Sequence, residues 1–153
     1  MTQAENIRTL FLSPRPSYPL PAAARLLGTG VAELRGWIDV GEIEAGDEGG
    51  RVVVPWAELV SFAMDFWSQE VVEEALGGEV AAVIPELLRL AELEVRIPRM
   101  QVVTLERLAA IDGETVSAVL ARELRDLVSV HSDWLATEVP GFAAALMWPA
   151  SAA

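Results

Sequence analysis

The most constraining feature of this sequence is a short alternation of apolar and polar residues that ends at a proline. Within residues 93–97 the apolar side chains fall at Leu93, Val95 and Ile97, and Pro98 follows directly. Because successive side chains of a strand point to opposite faces, this pattern predicts a short strand with one apolar face. A lone strand leaves its backbone groups unpaired, so the sequence also predicts that this strand needs a partner.

Two amphipathic helices are predicted immediately after the strand. The first runs from about Arg99 to Ile111, Gly113 suits a left-handed turn, and Thr115 or Ser117 can cap the second helix. The apolar residues that repeat at helical spacing are Val102, Leu105, Leu108, Ala109, Val116, Val119, Leu120, Leu124 and Leu127. Each helix therefore has one face to bury.

The layout of residues 95–124, a strand followed by two helices around a glycine turn, resembles the ribbon-helix-helix family of the CopG and Arc kind. The resemblance assigns residues 91–135 to a unit that exists as a homodimer, with paired strands and interlocked helices. The paired strands of that family lie in the major groove of duplex DNA. Arg96 would then be a base reader, and the helix N-terminus at Thr115 and Ser117 would hold a phosphate. The implied dimer core consists of Leu93, Val95, Ile97, Leu105, Leu108, Val116, Val119, Leu120 and Leu124.

A second pattern occupies residues 18–66. A short helix that begins near Pro21 and stops at Gly28 is followed by a helix predicted over Val31–Val40, which Gly41 ends. A hairpin is predicted next, with strands at residues 42–45 and 51–54 around a glycine-rich turn, and Pro55 opens a further helix.

This half of the chain resembles the excisionase and MerR-type winged helix-turn-helix family. The matching residues are Ala23, Ala24, Arg25, Leu26, Leu27, Gly28, Leu34, Arg35, Trp37, Ile38, Gly41, Ile43, Gly49, Gly50, Arg51, Val54, Pro55 and Leu59. The resemblance implies that the helix at Val31–Val40 enters the major groove of DNA and that the wing at residues 46–51 contacts the backbone or minor groove. Arg35 and Arg51 are the DNA contacts it suggests.

The charge of the chain opposes a protein held on DNA mainly by phosphate contacts. Its net charge at pH 7 is −12, although residues 94–128 are nearly neutral, with five arginines against six acidic residues. Carboxylates at Glu33 and Asp39 share the predicted groove helix, and Glu92 and Glu94 would share the outward face of the ribbon with Arg96. Two alternatives therefore stay open: a DNA-binding regulator, or a scaffold that keeps both folds only for dimerisation and protein docking.

Three further segments complete the predicted organisation. Residues 1–17 form an apolar N-terminal arm, residues 67–90 a helical connector with a solvated acidic face, and residues 136–153 an apolar tail. A further helical stretch is predicted around residues 85–93. The stretch Phe142–Trp148 needs to be covered, either by its own dimer or by the groove of a partner protein.

The sequence offers no constellation for catalysis, a cofactor or a metal. It contains no cysteine and a single histidine, His131, whose neighbours Ser132 and Asp133 would point to different sides of a helix. No uncharged apolar run reaches the roughly 20 residues needed to span a bilayer, and the N-terminus lacks a basic-then-apolar signal. We therefore expect a cytoplasmic protein that is not an enzyme and does not enter a membrane.

These patterns together predict a mainly α protein with a small winged helix-turn-helix, a helical connector and a ribbon-helix-helix dimerisation unit. The expected function is a homodimeric DNA-binding transcriptional regulator, resembling a bacterial regulator or the antitoxin of a toxin–antitoxin pair. Its expected partners are a second copy of itself, duplex DNA, and a toxin or other protein that binds the tail.

Overall fold

The computed structural model describes residues 1–150, which divide into two compact units. The first unit consists of residues 1–90 and 147–150, and the second consists of residues 91–146. The described chain is mainly helical, with a small three-stranded antiparallel sheet in the first unit. No helix within residues 1–150 combines the length and the hydropathy that a bilayer-spanning segment requires.

The first unit begins with helix α1 (Gln3–Leu12), where the sequence analysis predicted an arm. The Thr2 hydroxyl accepts a hydrogen bond from the Glu5 backbone N–H at 3.2 Å, and the Glu5 carboxylate accepts one from the Thr2 N–H at 2.7 Å. This reciprocal capping box satisfies two N–H groups at the start of the helix, and its hydrogen bond to the Thr2 backbone lowers the pKa of Glu5. The buried residues of α1 are Asn6, Ile7, Leu10 and Phe11.

A short strand and two helices follow. Strand β1 (Ser17–Pro19) leads directly into helix α2 (Leu20–Leu27), and Gly28 ends this helix in the left-handed region at φ 72°. Helix α3 (Val31–Asp39) begins after Gly30. The two helices have the bounds predicted from the positions of proline and glycine, within one residue at each end.

The sheet has the order β1–β3–β2, with strand β2 (Gly46–Glu48) and strand β3 (Arg51–Pro55) forming a hairpin. The predicted first hairpin strand at residues 42–45 was wrong, because that segment folds against the end of α3. The Glu42 N–H donates to the Trp37 carbonyl at 2.9 Å, which leaves pairing to begin at Gly46.

The hairpin turn consists of Gly49 and Gly50, both at positive φ (59° and 82°). A two-residue turn of type I′ requires positive φ at both positions, which glycine adopts at low cost. The Asp47 carboxylate accepts a hydrogen bond from the Gly50 N–H at 3.0 Å and so fixes the turn.

The segment predicted as a connector is part of the first unit. Helix α4 (Trp56–Phe66) is followed by helix α5 (Gln69–Leu76), a 3-10 turn and the short helix α6 (Val80–Val83). The helical stretch predicted around residues 85–93 was wrong, because only a 3-10 turn at Glu86–Leu88 forms after Pro85. The fully buried residues Val72, Leu76 and Ile84 join this segment to the core.

Two long-range contacts close the first unit. The indole N–H of Trp56 donates to the Leu10 carbonyl at 2.8 Å, which joins α4 to α1. The Arg8 guanidinium donates to the carbonyls of Ala75 and Leu76 at 3.1 and 3.3 Å and pairs with Glu79. Arg8 therefore satisfies carbonyl groups that the end of α5 leaves open.

The second unit is built from helices. Helix α7 (Arg99–Asp112) ends at Gly113, which has φ 67°, and helix α8 (Val116–Val130) packs against α7. Helices α9 (Ser132–Glu138) and α10 (Phe142–Leu146) follow. The bounds of α7 and α8 agree closely with those predicted from the apolar spacing and the glycine turn.

The strand predicted at residues 93–97 does not form in the single chain. Residues 91–98 are neither helix nor strand. A strand exists only through its hydrogen bonds to another strand, and the second unit has no other strand within residues 91–146. Within one copy of the chain, the alternating apolar and polar residues of this segment therefore form no strand.

Candidate functional site

Helix α3, which the resemblance assigns to the major groove, presents one exposed stripe. Ala32, Arg35, Gly36 and Asp39 are all exposed and follow the spacing at which side chains share a helix face. Leu34, on the opposite side, is fully buried in the core. The stripe therefore offers one guanidinium and one carboxylate beside two residues with almost no side chain.

Gly36 lies in the interior of α3 without a reason in the fold itself. Its φ is not positive, and a Cβ built at this position would meet nothing within 4 Å. An interior glycine makes a helix less stable than alanine would by about 1 kcal/mol. No neighbouring residue packs so closely that it requires glycine at this position. The missing side chain does leave a flat surface, on which another molecule could approach the helix closely.

A cluster of aromatic rings holds α3 in place from behind. The Trp37 ring lies 4.7 Å from that of Phe62 and 5.3 Å from that of Phe66, measured between ring centroids. The contact between these rings was not predicted from the sequence. The joint spacing of Trp37 on α3 and of the two phenylalanines on α4 was the available signal.

The hairpin presents one arginine beside carboxylates that have local hydrogen-bond partners. Arg51 is exposed at the start of β3, and no ion pair connects it to another residue of the range 1–150. Glu48 accepts hydrogen bonds from the Ser17 hydroxyl at 3.1 and 3.2 Å, and Asp47 holds the turn. On α3, Glu33 likewise accepts from the Thr29 hydroxyl at 2.7 Å. These three carboxylates therefore have structural roles, and one of them, Glu33, was counted against DNA binding from the sequence.

The residues assigned to the dimer core leave an apolar surface uncovered in the second unit. Leu93 is 82% exposed and Val95 54%, and Leu108, Val116 and Leu124 are exposed as well. Ile97, Leu105 and Leu120 are half-buried. Val119 alone of these nine residues is fully buried within the chain.

The remaining candidates for DNA contact lie in this second unit. Arg96 is exposed in the extended segment, and Thr115 caps α8 by accepting a hydrogen bond from the Ala118 N–H at 3.1 Å. Ser117 is exposed in the first turn of α8. Arg35 and Arg51 belong to the first unit, so the five predicted contact residues divide into two sets.

An arginine and two carboxylates surround the turn that precedes α8. Arg122 donates to Glu114 at 2.8 Å and to Asp112 at 3.2 Å. The hydrogen bond to Asp112 and the charge of Glu114 raise the pKa of Arg122. No such cluster was predicted from the sequence. The two carboxylates make the N-terminus of α8 less attractive to a phosphate.

The C-terminal stretch Phe142–Trp148 is covered in part by the chain itself. Ala145 is buried in the second unit, and Trp148 packs against the core of the first unit. Leu146 and Met147 remain 56% and 75% exposed. A partner protein would therefore find two exposed apolar side chains here rather than a free apolar tail.

Neither a metal site nor a match to a known protein adds to these observations. Residues 1–150 contain no group of three or more His, Cys, Asp or Glu side chains placed to hold a metal ion. Comparison of the chain with models of protein families, with curated proteins and with solved structures found no match in any of the three. Its function is therefore inferred from its own residues and their arrangement.

Proposed function

We propose that this chain is a homodimeric DNA-binding protein that regulates transcription. In this proposal residues 18–66 form a winged helix-turn-helix and residues 91–135 a ribbon-helix-helix unit that makes the dimer. The observation that carries the proposal is the exposed stripe of α3, in which Gly36 weakens the helix without serving the fold.

The stripe suits insertion into the major groove. That groove is about 12 Å wide and admits one α-helix. Ala32 and Gly36 would allow the backbone of α3 to approach the base edges, and Arg35 between them can donate two hydrogen bonds to guanine, the commonest specific contact of an arginine. Arg51 at the hairpin would hold a phosphate and fix the orientation of the helix.

A dimer made through the second unit would present two copies of α3. A two-fold protein binds inverted half-sites, so the proposed operator is a palindrome whose half-site spacing follows the distance between the two helices. The uncovered apolar surface of the second unit supports this dimer, because exposed apolar area of this kind marks a surface that associates.

An antitoxin is the form of this proposal that also accounts for the acidity. A net charge of −12 would attract a basic partner such as an RNase toxin. The exposed side chains Leu146 and Met147 would add apolar contacts in that complex.

The scaffold alternative is favoured by one feature of the same stripe. Asp39 lies on the exposed face of α3 together with Arg35, where its charge would repel a nearby phosphate. In that alternative the chain forms the same dimer, and α3 contacts a protein instead of DNA.

Binding to the gene's own upstream region tests the proposal. We expect specific binding of a labelled upstream fragment over random duplex, with an affinity that falls as salt increases. Arg35→Ala should cost about 1–3 kcal/mol and relax sequence preference. The matched variant Asp39→Asn removes a negative charge from the same stripe and should strengthen binding. No binding at low salt by the wild-type protein would leave the scaffold alternative.

Substitution of Gly36 separates the role of α3 in binding from its role in folding. Gly36→Ala should raise the free energy of unfolding by about 0.5–1 kcal/mol, because alanine favours the helix and meets no neighbour. Gly36→Leu should leave the fold intact and weaken specific DNA binding severalfold by holding the helix away from the bases. Thermal unfolding and fluorescence anisotropy measure the two effects separately. Unchanged binding by the leucine variant would exclude this face of α3 from the interface.

A further inference from the structure

We propose that residues 93–97 form a dimer clamp whose strand register is set by ion pairs between Glu94 and Arg96 of the two copies. The clamp joins two chains and does not read DNA bases. This inference rests on the proposed dimer and concerns the role of its ribbon.

The second unit lacks enough buried side chains to be stable alone. Within residues 91–146 the buried hydrophobic residues are Ala109, Val119 and Ala145. Two of these three side chains are single methyl groups, which contribute little to the free energy of folding. A small unit with so little buried apolar surface needs an additional source of stability, such as association with another chain.

The chemistry of the extended segment identifies a second copy as the partner. Leu93, Val95 and Ile97 alternate with Glu94 and Arg96, and all five residues are exposed or half-buried. Two copies of such a segment can pair as antiparallel strands. In a suitable register, apolar side chains then face apolar ones and each carboxylate faces a guanidinium. The segment therefore carries both halves of a matching surface.

Charge selects one register among those available. With the two-fold axis at Val95, Glu94 of each copy faces Arg96 of the other, and Leu93 faces Ile97. An axis at Glu94 places the two Glu94 carboxylates opposite each other, and an axis at Arg96 does the same with the two guanidinium groups. An axis at Leu93 places Glu92 of each copy opposite Glu94 of the other. Like charges directly opposite each other destabilise a pair of strands. An axis between two residues would place apolar side chains opposite polar ones, which alternation forbids.

This register changes the role of Arg96. Its guanidinium would be neutralised by the Glu94 carboxylate of the other copy, whereas the two Glu92 carboxylates would remain on the outer face of the ribbon without a cation opposite them. A ribbon with this charge repels phosphates rather than approaching the groove. Base reading by the dimer then falls to Arg35 on α3.

A charge exchange tests the register in the full-length protein. Glu94→Arg and Arg96→Glu should each weaken dimerisation by about tenfold, because each creates two pairs of like charges, and the double variant should restore the dimer affinity to within about threefold. Glu92→Arg is the matched control, since Glu92 faces Pro98 in this register and its reversal should leave dimer affinity nearly unchanged. Analytical ultracentrifugation over a dilution series measures all four variants without DNA.

Several results would overturn the clamp. Failure of the double variant to recover would exclude the Glu94–Arg96 pair, and a larger effect of Glu92→Arg than of Glu94→Arg would move the axis to Glu94. A wild-type chain that stays monomeric at high concentration would assign the apolar surface to a different protein. If Arg96→Ala abolishes base discrimination while the dimer is unaffected, Arg96 is a reader after all. One further result separates the two proposals: if the double variant recovers the dimer and the chain binds no DNA, the clamp is supported and the proposed regulator is excluded.

Discussion

Val119→Asp should dissociate the dimer and unfold the second unit. Val119 is fully buried on α8, which packs on α7, so a carboxylate introduced there would be taken out of water. Burial of an unpaired charge costs more than about 4 kcal/mol. The second unit buries so few side chains that it cannot absorb this cost. Loss of helical circular dichroism and a monomeric sedimentation coefficient are the expected measurements.

Val128→Asp provides the matched control on the same helix. Val128 lies nine residues further along α8, which places it half a turn away from Val119, and its side chain is exposed. The same substitution at this position should leave helicity close to the wild-type value. A dimeric, fully helical Val119→Asp protein would contradict the ribbon-helix-helix interpretation of the second unit.

Trp56→Ala should remove about 3–5 kcal/mol from the stability of the first unit. The ring is 8% exposed, and its N–H is the donor of the hydrogen bond that joins α4 to the Leu10 carbonyl. A domain is stable by only about 5–15 kcal/mol, so the variant should unfold far below the wild-type temperature. Chemical denaturation followed by circular dichroism measures the loss.

Two companion variants separate ring burial from the hydrogen bond. Trp56→Phe keeps most of the ring and should lose about 1–3 kcal/mol, because the Leu10 carbonyl is left without its donor. Trp134→Ala removes the same kind of side chain from a position that is 61% exposed. It should change the free energy of unfolding by less than about 0.5 kcal/mol. Equal losses at Trp56 and Trp134 would show that the buried ring does not hold the first unit together.

The helix boundaries were predictable because local residues determine them. Gly28 and Gly113 end α2 and α7 in the left-handed conformation that a turn of this kind requires, and the Thr115 side chain caps α8. Each of these effects acts within one helical turn, so it can be read directly from adjacent residues.

Helix α1 was missed although its signals are local. Thr2 followed three residues later by Glu5 is the signature of a capping box, and Ile7, Leu10 and Phe11 follow helical spacing. The arm predicted over residues 1–17 is therefore a capped helix over Gln3–Leu12. The position of β2 was missed for a different reason, since Ile43 is apolar but buried by packing at the end of α3 rather than by pairing in a strand.

The remaining differences between the predicted and the observed structure depend on contacts between residues far apart in the sequence. Neither the hydrogen bonds from Arg8 to the end of α5 nor the packing of Trp148 has a local signature. The aromatic support of α3 likewise requires α4 to lie behind it. The residues on the exposed face of α3 follow from helical spacing. That nothing packs against Gly36 depends on the surrounding structure and cannot be read from the sequence.

The packing of Trp148 has a consequence for synthesis on the ribosome. The first unit takes one of its apolar side chains from a residue that is translated after the whole of the second unit. Residues 1–90 can therefore collapse early, but this part of their surface stays uncovered until residue 148 has left the ribosome. During that interval a chaperone or a second nascent chain could occupy the site, so the order of translation influences which contacts form first.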